Sequence, residues 1–210
     1  MAKQKSNQRH IRKTYLILVE GETELWYLSR LKKHEFSRLS NLQINIKPEL
    51  PISKKFNSLL QEAKQNSKFY DRVYLILDFD VILNEYRNAI DKNKSKLNKL
   101  LSFYQNDKNK NIVFLINNPC LEIWFLLHFK NISRVFQKCD DVIDDLKRDL
   151  NDYEKSENYY VRKHPDIYQR LRNDLSTAIS NARSLGRFDD KDYEKTLAEM
   201  YVLFEDLGIQ

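Results

Sequence analysis

Three short apolar runs, each ending on an acid or an asparagine, constrain this chain more than any other feature. Thr14 to Val19 (TYLILV) stops at Glu20-Gly21, Arg72 to Leu77 (RVYLIL) at Asp78-Phe79-Asp80, and Asn111 to Ile116 (NIVFLI) at Asn117-Asn118-Pro119. Continuous runs of β-branched, aromatic and aliphatic residues are the pattern of strands buried on both faces of a parallel sheet. Leu42 to Leu50 alternates apolar and polar up to Pro48 and reads as a weaker strand, the fourth of the set. Between the runs lie amphipathic stretches. One carries Leu25, Leu28 and Leu31 to about His34, and Ser53 to Ser67 carries Phe56, Leu59, Leu60 and Ala63 at helical spacing. A long polar helix is expected over Asn84 to Gln105. Asn118-Pro119 reads as a cap followed by a first-turn proline that starts another helix. Strand then helix, repeated, predicts a doubly wound α/β core with a mainly parallel four-stranded sheet over 14–130.

After Phe129 the strand signals stop. Asp140 to Glu154 is acidic and expected to be helical, and Tyr168 to Leu185 and Lys191 to Leu207 read as further helices near Gly186. Residues 131–210 are therefore expected as a helical extension packed on the core. With only 3 Gly and 4 Pro, long flexible linkers and turn-rich all-β folds are excluded. No apolar run reaches the roughly 20 residues of a membrane span. The basic start has no apolar region and cleavage site behind it, so no signal peptide is read. Cys120 and Cys139 form no CxxC or Cys/His cluster, which predicts reduced thiols in a cytoplasmic protein and disfavours zinc.

The 36 Lys and Arg exceed the 30 Asp and Glu by a net +6, and the excess is uneven. Residues 1–13 hold Lys3, Lys5, Arg9, Arg12 and Lys13 and no acid, a basic arm without required order. Such an arm suits a polyanion through counterion release, or is a solubilising tail; both readings stand.

Ligands of open parallel sheets bind beyond the carboxyl ends of the strands, where strand order reverses. The acids sit at those positions: Glu20 ends the first run, Glu22 and Glu24 open the next helix, and Asp78 and Asp80 end the third strand. In extended chain, residues two apart share a face, so Asp78 and Asp80 are expected side by side with Phe79 turned into the core. Converging carboxylates repel one another unless a cation or protons relieve them, and hard divalent cations take oxygen ligands. Mg²⁺ or Mn²⁺ is the cofactor this pattern predicts.

The segment Glu20-Gly21-Glu22-Thr23-Glu24 is similar to the EGxxE-type first motif of TOPRIM domains, and Asp78-Phe79-Asp80 to their DxD motif. Asn118-Pro119-Cys120-Leu121-Glu122-Ile123-Trp124-Phe125-Leu126-Leu127-His128-Phe129 resembles the NPCFELWLLLHF signature of the RloB-like family. That family is related to the TOPRIM domains of OLD-family nucleases. The resemblance implies a TOPRIM/Rossmann-like fold and a metal-dependent nuclease effector of bacterial anti-phage abortive infection. It implies an AAA-type ATPase as partner and DNA or RNA as substrate. By position, Glu20 is implied as metal ligand or general acid/base, Asp78 and Asp80 as metal-binding aspartates, and Glu24 as a further ligand. No tyrosine nucleophile stands out, so hydrolysis by activated water is the implied reaction.

Each residue also has a plainer reading. Glu22 complements a helix dipole. Glu122, in an apolar helix start, needs a partner, so it either makes a structural hydrogen bond or faces the site as a secondary acid. His128 reads as a structural histidine. Lys54, Lys55, Arg162 and Lys163 are weak candidates for nucleic-acid contact, with solvated charge as the default, and Tyr159-Tyr160 beside Arg162-Lys163 is a pattern single-strand binders also use. A non-catalytic partner or sensor on the same scaffold is the competing function, nucleotidyl transfer a third, and a homo-oligomer is compatible with all of them.

Overall fold

The computed structural model describes residues 12–49, 55–105 and 110–210. The expected run of strands and helices opens with β1 (Lys13–Val19), α1 (Glu22–His34), β2 (Leu42–Lys47), α2 (Phe56–Asn66) and β3 (Arg72–Asp78). It continues with α3 (Phe79–Asn88), α4 (Lys96–Tyr104), β4 (Ile112–Asn118) and α5 (Glu122–Leu126). The C-terminal segment adds α6 (Cys139–Leu146), α7 (Ile167–Leu171), α8 (Leu175–Leu185), β5 (Leu197–Ala198) and α9 (Met200–Asp206). Lys54, the basic residues up to Arg9 and Leu50 lie outside the described residues.

Among the described residues the strands form one five-stranded sheet in the order β2-β1-β3-β4-β5. The first four are parallel, and β5 joins antiparallel. The chain leaves β1 for β2 on one side and returns to β3 on the other, so strand order reverses between β1 and β3. That is where an open sheet offers its ligand crevice.

Because successive strand residues face opposite ways, β1 divides its apolar residues between two cores. Tyr15, Ile17 and Val19 pack with α1, α5 and the C-terminal helices. Leu16 and Leu18 pack across the sheet with Phe56, Leu59 and Leu60 of α2, Ile82 of α3 and Leu100 of α4. Fully burying one such leucine contributes about 1.5–3 kcal/mol. Residues 131–210 supply much of the first core, including Tyr153, Tyr160, Tyr168, Leu175 and Phe204.

Several expectations are corrected. A fifth strand lies inside the stretch read as one helix from Lys191 to Leu207. Residues Leu197 and Ala198 pair with Asn118 and Asn117, and Glu199 follows with its carboxylate on the Ile116 N–H at 3.0 Å. These two residues pair the carboxyl end of the β4 edge, next to the acids. The expected helix from Asn84 to Gln105 is two helices, broken over 89–95, where Ser95 caps α4 through the Asn98 N–H. Pro119 does not open α5; its carbonyl accepts the N–H groups of Phe79 and Asp80, and the helix begins at Glu122. The acidic helix ends at Leu146 rather than Glu154, and a 3₁₀ turn at Arg172–Asp174 divides the one expected after Tyr168. Cys120 and Cys139 are disulfide-bonded rather than reduced, because the fold places α6 against the segment entering α5. No helix among the described residues is long and apolar enough to cross a membrane.

Candidate functional site

The carboxyl ends of β1 and β3 converge on a cavity of about 540 Å³, lined by Glu20, Glu24, Asp78, Lys55 and Lys96 among others. Glu20 leaves β1 toward the α2 and α4 side and accepts the backbone N–H of Asp78. Burial, then the neighbouring Glu24, push its carboxyl up to about 7, while Lys96 opposes the shift. Glu24, in the first turn of α1, is buried and accepts from the Thr23 hydroxyl at 3.1 Å. Its carboxylate folds back so closely that a Cβ on Gly21 would stand 2.9 Å from Glu24 Oε2. A side chain at Gly21 would therefore make the end of the Glu24 side chain shift.

Asp78 closes β3, and its Oδ1 accepts the Leu121 N–H at 2.9 Å. The Pro119 carbonyl in turn holds Phe79 and Asp80, so the ends of β3 and β4 lock each other. Burial, then Glu24 and Glu122, raise the Asp78 carboxyl well above the usual range. Asp80 is not the extended neighbour that the spacing predicted. It lies in the first turn of α3, its Oδ1 on the Val81 N–H at 2.6 Å, while Phe79 does turn into the core. The Asp80 carboxyl is also raised, by burial first, and it does not line the cavity.

Glu122 combines both of its readings. It is buried, accepts the Tyr153 hydroxyl at 2.6 Å, and pairs with Lys155 Nζ at 2.9 Å. It also raises the carboxyls of Asp78 and Glu24 through space. Tyr153 further shares a 2.6 Å hydrogen bond with Tyr160. Lys155 is the residue sequence reasoning missed: its ammonium favours the charged forms of Glu24, Asp78 and Asp80 together. Nothing in a chain spacing of more than 70 residues marks it. Lys96 was missed as well, and so was Asn117. Asn117 sits opposite Asp78 in the β3–β4 register, buried, with neither side-chain polar atom hydrogen-bonded among the described residues. Buried polar atoms are rarely left so.

The other candidates divide between the cavity and places outside it. Lys55 lines the cavity. Arg162 pairs with Glu157 and Lys163 with Asp152, and neither lines it. Tyr159 and Tyr160 are buried and present no face for stacking, which overturns the single-strand reading of that stretch. His128 is structural: Nδ1 donates to the Trp124 carbonyl at 2.9 Å, and burial lowers its pKa to about 4. Glu22 is only the first-turn acid of α1.

The fold and this cluster define an α/β protein with a mostly parallel sheet and buried carboxylates gathered at its switch point. Residues 15–207 match the model of the RloB-like protein family, nearly the whole chain, and the chain belongs to that family. Comparison with curated proteins and with solved structures found no match.

Proposed function

We propose that this RloB-like protein is a TOPRIM-type, Mg²⁺- or Mn²⁺-dependent phosphodiester-cleaving effector, acting with an AAA-type ATPase in bacterial anti-phage abortive infection. One observation carries the reading: Glu20 at the end of β1, Glu24 in the first turn of α1 and Asp78 at the end of β3 line a single cavity, and burial raises all three carboxyls. Such crowding is costly without protons or a cation. Glu20, Glu24 and Asp78 offer the oxygen donors that a hard divalent ion takes. Their carboxylates do not all stand within 4.8 Å of one another as a preformed ligand cluster would, so they would have to close on the ion to hold it. A bound cation would polarise a phosphodiester and neutralise charge developing on it.

The chain's own residues supply the rest. Glu20, titrating at about 7, exchanges a proton with water near neutral pH, as a general acid/base requires. Lys55 and Lys96 stand on the cavity wall, where their ammonium groups would meet phosphate oxygens. The mutual lock of Asp78 with Leu121, and of Pro119 with Phe79 and Asp80, holds the aspartate ends in place before substrate arrives. Purified protein is expected to cleave DNA or RNA with Mg²⁺ or Mn²⁺ and not with chelator, and Asp78→Asn to lose at least about a hundredfold of that rate. Cleavage that persists in chelator, or in Asp78→Asn, would sink the proposal.

A second reading has its own observation. Lys155 already neutralises part of the cluster, as a non-catalytic scaffold that binds an ATPase or nucleic acid would need. On that reading, partner binding survives Glu20→Gln with Asp78→Asn, and so does protection against phage. Loss of protection in a folded, partner-binding double variant excludes it.

A further inference from the structure

Leading away from the acidic cavity, α2 and α4 enclose a second groove of about 520 Å³. Asn57 lines both spaces, so the groove adjoins the acidic cavity. On α2, Asn57, Gln61 and Lys64 recur at helical spacing and form one stripe. On α4, Lys96 in the acidic cavity leads to Lys99 and Ser102 in the groove, again three apart. The stripes face each other, and each begins at the carboxylates.

The chemistry of the groove is one-sided. No carboxylate lines it among the described residues, whereas Lys64 and Lys99 do. Neither lysine is in an ion pair among the described residues. Lys64 Nζ lies 5.0 Å over the Phe103 ring, and Lys99 Nζ donates to Asn57 Oδ1 at 3.2 Å. Both ammonium groups are thus positioned by neutral partners, and no acid among the described residues pairs with either. Between them stand the amides of Asn57, Gln61, Asn93 and Asn98. Lysines alone would suit any polyanion. Lysines interleaved with amides suit one that also presents hydrogen-bonding edges, and a single strand leaves free the Watson–Crick edges that pairing occupies in a duplex.

We infer that the α2–α4 groove is the track along which a single-stranded polynucleotide is held, its phosphates on Lys64 and Lys99 and its scissile linkage delivered past Asn57 and Lys96 to the acids. The inference rests on the phosphodiesterase reading for the ligand's identity, and it names the form of that ligand: a strand, DNA or RNA, rather than a duplex.

The test is binding without turnover. Fluorescein-labelled DNA and RNA strands of roughly 16 nucleotides, and the matching duplex as competitor, are titrated by anisotropy in chelator. Lys64→Glu with Lys99→Glu is expected to weaken strand binding at least about tenfold and to flatten the dependence of log affinity on log salt by about 1.4, at about 0.7 for each phosphate no longer neutralised. Lys64→Arg with Lys99→Arg keeps the affinity, and so does the charge reversal of Arg162 and Lys163, which lie off the groove. An unchanged affinity in the Lys64/Lys99 reversal, a duplex that competes as well as the strand, or no strand binding by the wild-type chain overturns the inference. If the reversed protein loses its melting transition, Gln61→Cys carrying a photoreactive benzophenone serves instead; a cross-link to the strand is expected, and its absence is fatal. Failure of the nuclease reading looks different: strands bind through the groove yet are never cut when Mg²⁺ or Mn²⁺ is added.

Discussion

On the sheet face covered by α1, α5 and the C-terminal segment, the charges near the site are tied down. Glu122 holds Tyr153 and Lys155, Asp78 holds the Leu121 N–H, and Glu24 holds Thr23. Across the sheet, Lys64 and Lys99 face a groove that no acid among the described residues lines, and Lys96 and Lys55 overlook the acids. The difference follows from burial. A charge out of water must be paired in place or it costs several kcal/mol, whereas a solvated lysine costs little and stays available to a ligand. One face therefore ties its charges down in place, while the other leaves lysines in contact with solvent.

The contrast can be broken first at Lys155. Lys155→Met leaves Glu122 buried without its cation; the lysine is 41% exposed and so worth less than a fully buried partner. A loss of about 2–3 kcal/mol is expected, about 4–12 °C in melting temperature. A melting point unchanged at neutral pH would show that the buried face does not depend on that pair.

Next comes pH. The Glu20 carboxyl is raised in the folded protein to about 7 from its ordinary 4.5, so between these values the native state binds more protons than the unfolded chain. Stability should therefore be greatest below about 4.5 as far as Glu20 is concerned, and fall as pH rises to about 7, by on the order of 2–3 kcal/mol. Glu20→Gln should flatten this slope, and Mg²⁺ or Mn²⁺ should protect more at pH 8 than at pH 5. Parallel slopes for wild type and variant, measured by urea unfolding, would contradict the shift.

Tyr153→Phe removes one hydrogen bond to a buried carboxylate and another to Tyr160, for about 1–3 kcal/mol in a denaturant titration. The smallest effect belongs to the open face: Lys64→Glu should change stability by no more than about 0.5 kcal/mol while still altering strand binding. A large stability loss there would mean that the groove lysines are structural after all.

Three of the strands could be read almost residue by residue, because β1, β3 and β4 are apolar on both faces and stop where the acids and asparagines begin. The helix α1 matched its amphipathic pattern to His34. By contrast β5 is two residues long, Leu197 and Ala198, too short for any period to register. The break between α3 and α4 contains neither glycine nor proline, and depends on Asp91 and Ser95 capping through their own side chains. Within the site, Glu20, Glu24 and Asp78 were legible from their places at strand ends. Lys155 and Lys96 were not, since each reaches the cluster from an element whose sequence gives no sign of where it packs. Asn117 was visible as a strand end, but its buried, unpartnered amide was not. The disulfide was hidden in the same way, by 19 residues of separation.

By itself the sequence determined where the central strands end and which acids stand at those ends, because period and composition act over a few neighbouring residues. Tertiary structure alone decided that three of these acids share one cavity, which lysines answer them, and that burial raises their carboxyls. Burial and Coulomb interaction act through space, and here they join residues as distant in the chain as Glu24, Asp78, Glu122 and Lys155.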